Sequence, residues 1–138
     1  MAYSYEIDHD HRVVRVRMSG SLTQAEVRQV IAQIAANPDV TDHFVELIDL
    51  REATTDAISA DDVRSLAAAT LDSTTRRAFV TSDVLTYGLA RMFEIYRTLS
   101  RKQDDIAVFR SIADAEQWLG VMPAPETPGR GGARGSDQ

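Results

Sequence analysis

Residues 77–96 read RAFVTSDVLTYGLARMFEIY and contain a β-α unit around which the rest of the chain can be arranged. The apolar run at 78–81 predicts a short buried strand. Ser82 and Asp83 follow as a polar cap, and the helix after them carries Tyr-Gly-Leu-Ala-Arg-Met at 87–92. Because strands that lead directly into helices are the repeating unit of α/β sheets, this stretch predicts an α/β fold.

The composition is that of an ordinary globular domain. The 138 residues fit one domain, and the fractions of hydrophobic residues (43%) and charged residues (26%) are typical of soluble proteins. No apolar run approaches the ~20 residues that a membrane span needs, and the N-terminus does not resemble a signal peptide. Together with the absence of cysteine, these features predict a cytoplasmic protein. Lys102 is the only lysine, a bias that indicates a GC-rich bacterial genome.

The net charge of −6 opposes binding to nucleic acid or to an anionic membrane. The absence of cysteine also excludes disulfides and thiolate metal sites. His9-Asp10-His11 offers metal ligands on a turn, but a closed site needs about four ligands, so we expect no metal. No phosphate-binding loop, nucleophile elbow or dinucleotide fingerprint is present. We therefore expect neither a cofactor nor an enzyme.

The order of predicted elements is β-β-α-β-α-β-α-β-α. Alternating runs on both sides of the turn at 8–11 predict an antiparallel hairpin. The other strands are predicted at 44–50, 78–81 and 106–109, and the helix caps at Thr23, Ser59, Asp83 and Ser111, with Gly120 ending the last helix. This order predicts a mixed sheet of about five strands, in which the N-terminal hairpin is followed by β-α units, and about four helices. It does not predict which helices cover which face.

A single folded domain is predicted over residues 1–121. Residues 122–138 contain no large apolar side chain after Met122 and are rich in Pro and Gly, so they are predicted to form a disordered tail.

The helix predicted over 84–99 has an apolar arc that covers close to half of its circumference, more than one sheet contact requires. The arc consists of Val84, Leu85, Gly88, Leu89, Met92, Phe93, Ile95, Tyr96 and Leu99. Gly88 costs about 1 kcal/mol relative to Ala inside a helix, which indicates close approach of another group. Either a neighbouring element of the same chain packs on Gly88 and Arg91 pairs with Glu94, or a ligand or partner is contacted there. The candidate contacts on this helix are Val84, Tyr87, Gly88, Arg91 and Ile95.

Three further candidates follow predicted strands. Open α/β sheets bind ligands at the carboxyl ends of their strands. Asp49 and Arg51 lie at the end of one predicted strand, and Asp83 follows the next. Mixed charge is also typical of ordinary loops, so both interpretations stay open for these residues.

The segment from Ala78 to Met92 resembles small bacterial proteins of the SpoIIAA-like, or STAS-like, group, named for sulphate transporters and anti-sigma factor antagonists. The segment Val108-Phe109-Arg110 and the stretch 115–120 are similar to the end of the same proteins. The resemblance covers residues 3–121. It implies a SpoIIAA-like fold, a mixed sheet with helices stacked along it, and many members of the group have no established function. Better-understood relatives bind a protein partner, and proteins of related architecture bind lipids or small hydrophobic molecules.

The resemblance also implies a phosphorylation switch, which the sequence matches only in part. The antagonists carry a phosphorylated Ser at the start of their second helix, within Asp-Ser-Ser-Gly. Here the corresponding segment is Ile58-Ser59-Ala60-Asp61. Ser59, Thr54 and Thr55 are the candidate phosphosites. Ser59 is already explained as a helix cap, and the acidic residues that follow it would repel a phosphate.

Three hypotheses follow. The first is a non-enzymatic domain that acts through protein–protein interaction, with a homodimer as one form; burial of Val84, Gly88 and Ile95 would oppose it. The second is a binder or carrier of a small amphipathic, lipid-like ligand beside Gly88 and Arg91, which requires a continuous apolar pocket. The third is an anti-sigma-type phosphoswitch with a partner kinase.

Overall fold

The computed structural model describes residues 2–41, 43–69, 75–100 and 105–121. The elements in chain order are β1 (Ala2–Asp8), β2 (Val13–Ser21), α1 (Gln24–Ala36), β3 (Val45–Thr54), α2 (Ala60–Ala69), β4 (Arg76–Val80), α3 (Val84–Leu99), β5 (Asp105–Phe109) and α4 (Ile112–Leu119). None of the helices in this part of the chain combines the length and apolarity needed to cross a membrane. The predicted tail, residues 122–138, lies outside the described residues.

The five strands form one mixed sheet in the order β1-β2-β3-β4-β5. Strands β1 and β2 pair antiparallel, and each later pair is parallel. The predicted architecture, an N-terminal hairpin followed by β-α units with four helices, is confirmed for the described residues. Strand β3 lies at the centre of the sheet, which explains why residues 45–50 are mostly apolar.

The strand order decides how the helices are distributed. Each of the connections through α1, α2 and α3 leads to the next strand in the same direction, so right-handed crossovers place all three on one face. We call this the three-helix face; Val30 and Ile34 of α1 share a core with Val16 there. Helix α4 follows the last strand and returns across the opposite face, the α4 face. There Ala115 and Leu119 pack against residues of β2, β3 and β4.

The predicted helix ends are confirmed. The Thr23 hydroxyl accepts from the Glu26 amide while the Glu26 carboxylate accepts from the Thr23 amide, which is a complete capping box. Ser59 and Asp62 exchange the same two bonds before α2. Gly120 ends α4 at a φ of 75°, a conformation that glycine adopts without a steric penalty.

Two strands extend beyond their predicted ends. The Ser-Gly-Ser sequence at 19–21 is typical of a strand end, yet these residues pair with residues 52–54 of β3, beyond a register shift between Arg17 and Ser19. The strand predicted at 44–50 ends at Leu50, whereas β3 continues through the polar residues Arg51–Thr54. Backbone pairing between adjacent strands does not require apolar side chains, so the two strands extend each other through polar sequence.

Helix α3 is rotated relative to the orientation that its apolar arc indicated. Its buried residues are Thr86, Ala90 and Arg97, while Leu85 is 50% and Leu99 is 74% exposed. Arg97 is 1% exposed, and its guanidinium donates to the carbonyl oxygen of Ala67 in α2 at 2.8 Å. Because α3 packs against α2 as well as the sheet, small and hydrogen-bonded side chains occupy that contact in place of the large apolar ones.

Candidate functional site

A cavity of about 270 Å³ lies between the three-helix face of the sheet and helices α1, α2 and α3. Strands β2, β3 and β4 form its floor, and the helices form its walls. Its apolar lining residues include Val16, Met18, Leu22, Val30, Ile34, Ile48, Leu50, Val63, Leu66, Phe79, Leu89, Ala90 and Phe93. Protein interiors are normally packed with few voids larger than a water molecule, so a space of this size sets this layer apart from an ordinary core.

An ion pair lines the cavity at the amino-terminal end of the parallel strands. Glu46 of β3 and Arg77 of β4 are register partners. The Arg77 Nε donates to Glu46 Oε1 at 3.0 Å, and the two side chains are 12% and 14% exposed, respectively. Burial of either charge without the other would be costly, so the pair is stable there as a unit. It places a planar donor and a carboxylate acceptor beside an apolar space.

A pair of hydroxyl groups lines the cavity at the carboxyl-terminal end of the same strands. The Oγ1 atoms of Thr55 and Thr86 lie 2.9 Å apart, and both residues are buried. Asp83, the N-cap of α3, accepts from the Thr86 amide at 2.7 Å and from its hydroxyl at 3.1 Å. This chain of bonds fixes the start of α3 over the sheet.

The cavity adjoins a groove between α1 and α2. The groove has a volume of about 380 Å³, and Ile31, Ala35 and Leu66 line both spaces. Its other lining residues are mainly alanines, Ala32, Ala36 and Ala69. Small side chains along the two facing helices leave the room that forms this groove. The ligand hypothesis places an apolar pocket beside Gly88 and Arg91, whereas neither residue is among those that line the cavity or the groove.

The candidate residues on α3 lie on the opposite side of the helix from the cavity. Val84 is 78% and Ile95 is 47% exposed, and a Cβ on Gly88 would meet no described atom within 4 Å. The close approach expected at Gly88 from an element of the same chain is thus absent among the described residues. Arg91 pairs with Glu94 at 2.7 Å, and the Arg110 guanidinium lies 4.6 Å from the centre of the Tyr87 ring.

Within the residues that the structure describes, the exposed large apolar side chains all belong to α3: they are Val84, Leu85, Ile95 and Leu99. With Gly88 and the half-buried Met92 they form one continuous surface along the helix, which we call the α3 stripe. Helix α3 therefore has an apolar outer surface, and its inner surface lines the cavity. A helix that packs on one side only would need a single apolar face.

Asp49 and Arg51 meet on the α4 face, away from both the cavity and the α3 stripe. They line a shallow cleft of about 570 Å³ together with Arg17 and Glu116. Arg51 donates to both oxygens of Asp49 at 2.9 Å, and Arg17 Nε lies 3.7 Å from Oδ2. Burial raises the pKa of Asp49, but the hydrogen bonds from Arg51 outweigh it, and the pKa lies below its ordinary value.

The three candidate phosphosites differ in accessibility. Ser59 is exposed but caps α2, and Thr54 is exposed at the end of β3. Thr55 is 5% exposed and bonded to Thr86, so a kinase has no access to its hydroxyl in this conformation. Phosphorylation at Ser59 or Thr54 stays a prediction.

Reasoning from the sequence missed Glu46, Arg77 and Arg97. One signal was present: Glu46 and Arg77 each lie within or beside a short apolar run that was itself predicted to be a buried strand. A charge in such a run indicates a buried partner on the adjacent strand. For metals, the described residues contain no group of three or more His, Cys, Asp or Glu side chains placed to bind one.

The architecture is similar to the crystal structure of an uncharacterized protein of the DUF3478 family from Shewanella loihica PV-4, described as having a SpoIIAA-like fold. The TM-score is 0.54, the sequence identity is 22%, and the match covers 86% of this chain and 92% of that chain. No protein-family model and no curated protein matches the sequence. The likeness confirms the predicted SpoIIAA-like fold.

Proposed function

We propose that this chain is a non-enzymatic binding domain that holds a small amphipathic, lipid-like molecule between its sheet and its three crossover helices. The observation that supports the proposal is the apolar cavity of about 270 Å³ with a buried ion pair in its wall. Ligand sites are typically apolar clefts with a few placed polar groups. The cavity has that composition, and the groove between α1 and α2 shares three of its lining residues.

The volume of the cavity limits the size of the ligand. An engineered apolar cavity of about 150 Å³ binds benzene, which corresponds to about 25 Å³ per non-hydrogen atom. On that scale the cavity, at about 270 Å³, holds about eleven non-hydrogen atoms. A chain of about nine or ten carbons with a small polar head has this size.

The ion pair favours a head group that both donates and accepts hydrogen bonds. A hydroxyl, an amide or a protonated carboxyl group can donate to Glu46 and accept from Arg77 without separating the two charges. A second buried anion would compete with Glu46 for Arg77, so a neutral head group costs less to bury. A medium-chain alcohol or amide therefore fits better than a long-chain carboxylate.

Native mass spectrometry on protein purified gently from a bacterial host tests the proposal, followed by titration with 1-decanol and decanamide. We expect an added small mass, or binding of these probes, in the natural protein. Ala90→Phe adds a ring inside the cavity and should abolish binding, whereas Ala68→Phe, at an exposed position of α2, should not. Absence of any bound mass, with no probe binding up to its solubility limit, would overturn the proposal.

A second candidate function, interaction with another protein, is supported by a separate observation, the exposed α3 stripe. Soluble proteins seldom leave a continuous apolar surface uncovered unless something binds to it. Ile95→Glu should remove such an association and leave ligand binding unchanged, because Ile95 is not among the residues that line the cavity. A regulatory role and a cytoplasmic location stay predictions.

A further inference from the structure

We propose that the α3 stripe pairs with the same stripe of a second copy of this chain, as an antiparallel pair of helices related by a two-fold axis. The proposal rests on the second candidate function and names its partner. It follows from the spacing of the stripe, from Gly88 and from the charges along one side of the helix.

The spacing of the stripe is that of a helix that packs along another helix. Leu85, Gly88, Met92, Ile95 and Leu99 follow one another at steps of three, four, three and four residues. This heptad alternation keeps one seam facing a partner helix over the whole length of α3, about 24 Å for 16 residues. Ala90 and Arg97, at the position furthest from this seam, are two of the three α3 residues buried within the protomer. The seam is thus directed away from the other described elements.

Gly88 has a role in such a pair that it does not have within the protomer. Glycine is unfavourable in the interior of a helix. At Gly88, no described atom of the chain lies within 4 Å of the position that a Cβ would occupy. A second helix that crosses there can approach the backbone closely, and a large side chain of that helix can occupy the space. Leu99 of the second copy is such a side chain.

The charges beside the stripe select one register. Arg91 and Glu94 lie on the same side of the seam and are bonded to each other at 2.7 Å. In an antiparallel pair related by a two-fold axis, the same flank of each helix lies on the same side of the interface, so the two copies of that flank are neighbours. If Met92 lies opposite Ile95 of the second copy, Arg91 lies beside Glu94 of that copy and the charges complement each other. A register with Gly88 opposite Met92 of the second copy would instead bring the two Arg91 side chains together.

The size of the stripe predicts a weak dimer. Stable interfaces bury about 800 Å² from each partner, and a single helix seam provides less. We therefore expect reversible association with a dissociation constant in roughly the micromolar range or above.

Sedimentation equilibrium over a wide range of protein concentration tests self-association. The natural chain should move from monomer to dimer as its concentration rises. Ile95→Glu places a charge in the centre of the seam and should weaken dimerisation at least about tenfold, a change of ~1.4 kcal/mol. Ala68→Glu changes the net charge equally at an exposed site on α2 and should leave dimerisation unchanged.

Cross-linking tests the register, and the absence of cysteine in the natural sequence gives a clean background. Disulfides form only where the Cα atoms lie within about 4.4–6.8 Å. A mixture of affinity-tagged Met92→Cys and untagged Ile95→Cys should form a mixed disulfide dimer on mild oxidation. The mixture of tagged Met92→Cys with untagged Gly88→Cys should form much less.

The outcomes separate this inference from the functions proposed above. A chain that stays monomeric at its highest soluble concentration and forms neither mixed disulfide overturns the self-pair. If Ile95→Glu then still abolishes binding to an identified protein of the host, only the choice of partner is wrong. If it affects no association at all, the second candidate function fails as well. Ligand binding in the cavity is measured independently of both.

Discussion

Replacing Ala90 with Leu tests directly whether the space under α3 is empty. Ala90 is 7% exposed, and its side chain lines the cavity. Leu adds three carbon atoms, and burial of each contributes about 0.8 kcal/mol, or about 2.4 kcal/mol in total. Loss of rotamer freedom offsets about 0.5–1 kcal/mol of this gain. Because Ala and Leu have similar helix propensity, we expect the free energy of unfolding to rise by about 1.5–2 kcal/mol.

Ala115→Leu is the matched control. Ala115 is fully buried between α4 and the sheet and is not among the residues that line the cavity. Adding the same three carbons to a filled core costs about 1–3 kcal/mol through displaced neighbours. Both variants replace Ala with Leu, one beside the cavity and one in a filled core. They should therefore change the free energy of unfolding in opposite directions.

Urea unfolding of ligand-free protein, followed by circular dichroism, measures the effect of each substitution. An increase of 1.5–2 kcal/mol also corresponds to a rise in Tm of roughly 5–9 °C for a domain of this size. If Ala90→Leu destabilises the protein as much as Ala115→Leu does, the space is filled by protein atoms in solution. The ligand-binding proposal would then lose the observation that supports it.

Arg77→Met leaves the Glu46 carboxylate unpaired in an apolar wall and should cost about 3–5 kcal/mol in urea unfolding, whereas Arg77→Met combined with Glu46→Leu should recover most of that loss. A double variant as unstable as the single one would refute the unpaired charge as the cause. Arg97→Met removes the bond to a carbonyl oxygen of α2 and should lower the free energy of unfolding by about 1–3 kcal/mol, and a neutral result would contradict that role. The pKa of Asp49 is lower in the folded chain than in the unfolded chain, so its ionised carboxylate stabilises the fold. This contribution is fully present above the pKa of the unfolded chain and is lost as the pH falls through the pKa of the folded chain. The stability difference between the natural chain and Asp49→Asn, followed by urea midpoints across acidic pH, should therefore shrink below about pH 4, and a constant difference would refute the contribution of the ionised carboxylate.

The helix ends could be predicted because they depend on residues a few positions apart. Thr23 with Glu26, and Ser59 with Asp62, satisfy backbone groups at the start of their own helix whatever the rest of the chain does. Gly120 ends α4 for the same local reason. The five strands and their order along the chain could also be predicted, although backbone pairing extended two of them through polar residues.

The candidate site was predicted only in part. Val84 and Ile95, which the helical wheel selected, are exposed apolar side chains, but the wheel could not show that a second, less apolar arc faces α2 and the sheet. That arc is compatible with burial because Arg97 bonds to a backbone carbonyl and Thr86 to another hydroxyl. The cavity could not be found in the sequence, because its lining comes from six elements that are distant along the chain.

The sequence by itself determined the helices and strands, their order along the chain and the α/β class, since these follow from capping, periodicity and turn chemistry within short windows. The tertiary structure alone decided the order of the strands across the sheet and, through it, the face on which each helix lies. Each crossover steps to the next strand in the same direction, so α1, α2 and α3 share one face while α4 returns over the other. The cavity, the buried ion pair and the exposed α3 stripe all result from that arrangement, which depends on contacts between residues far apart in the sequence.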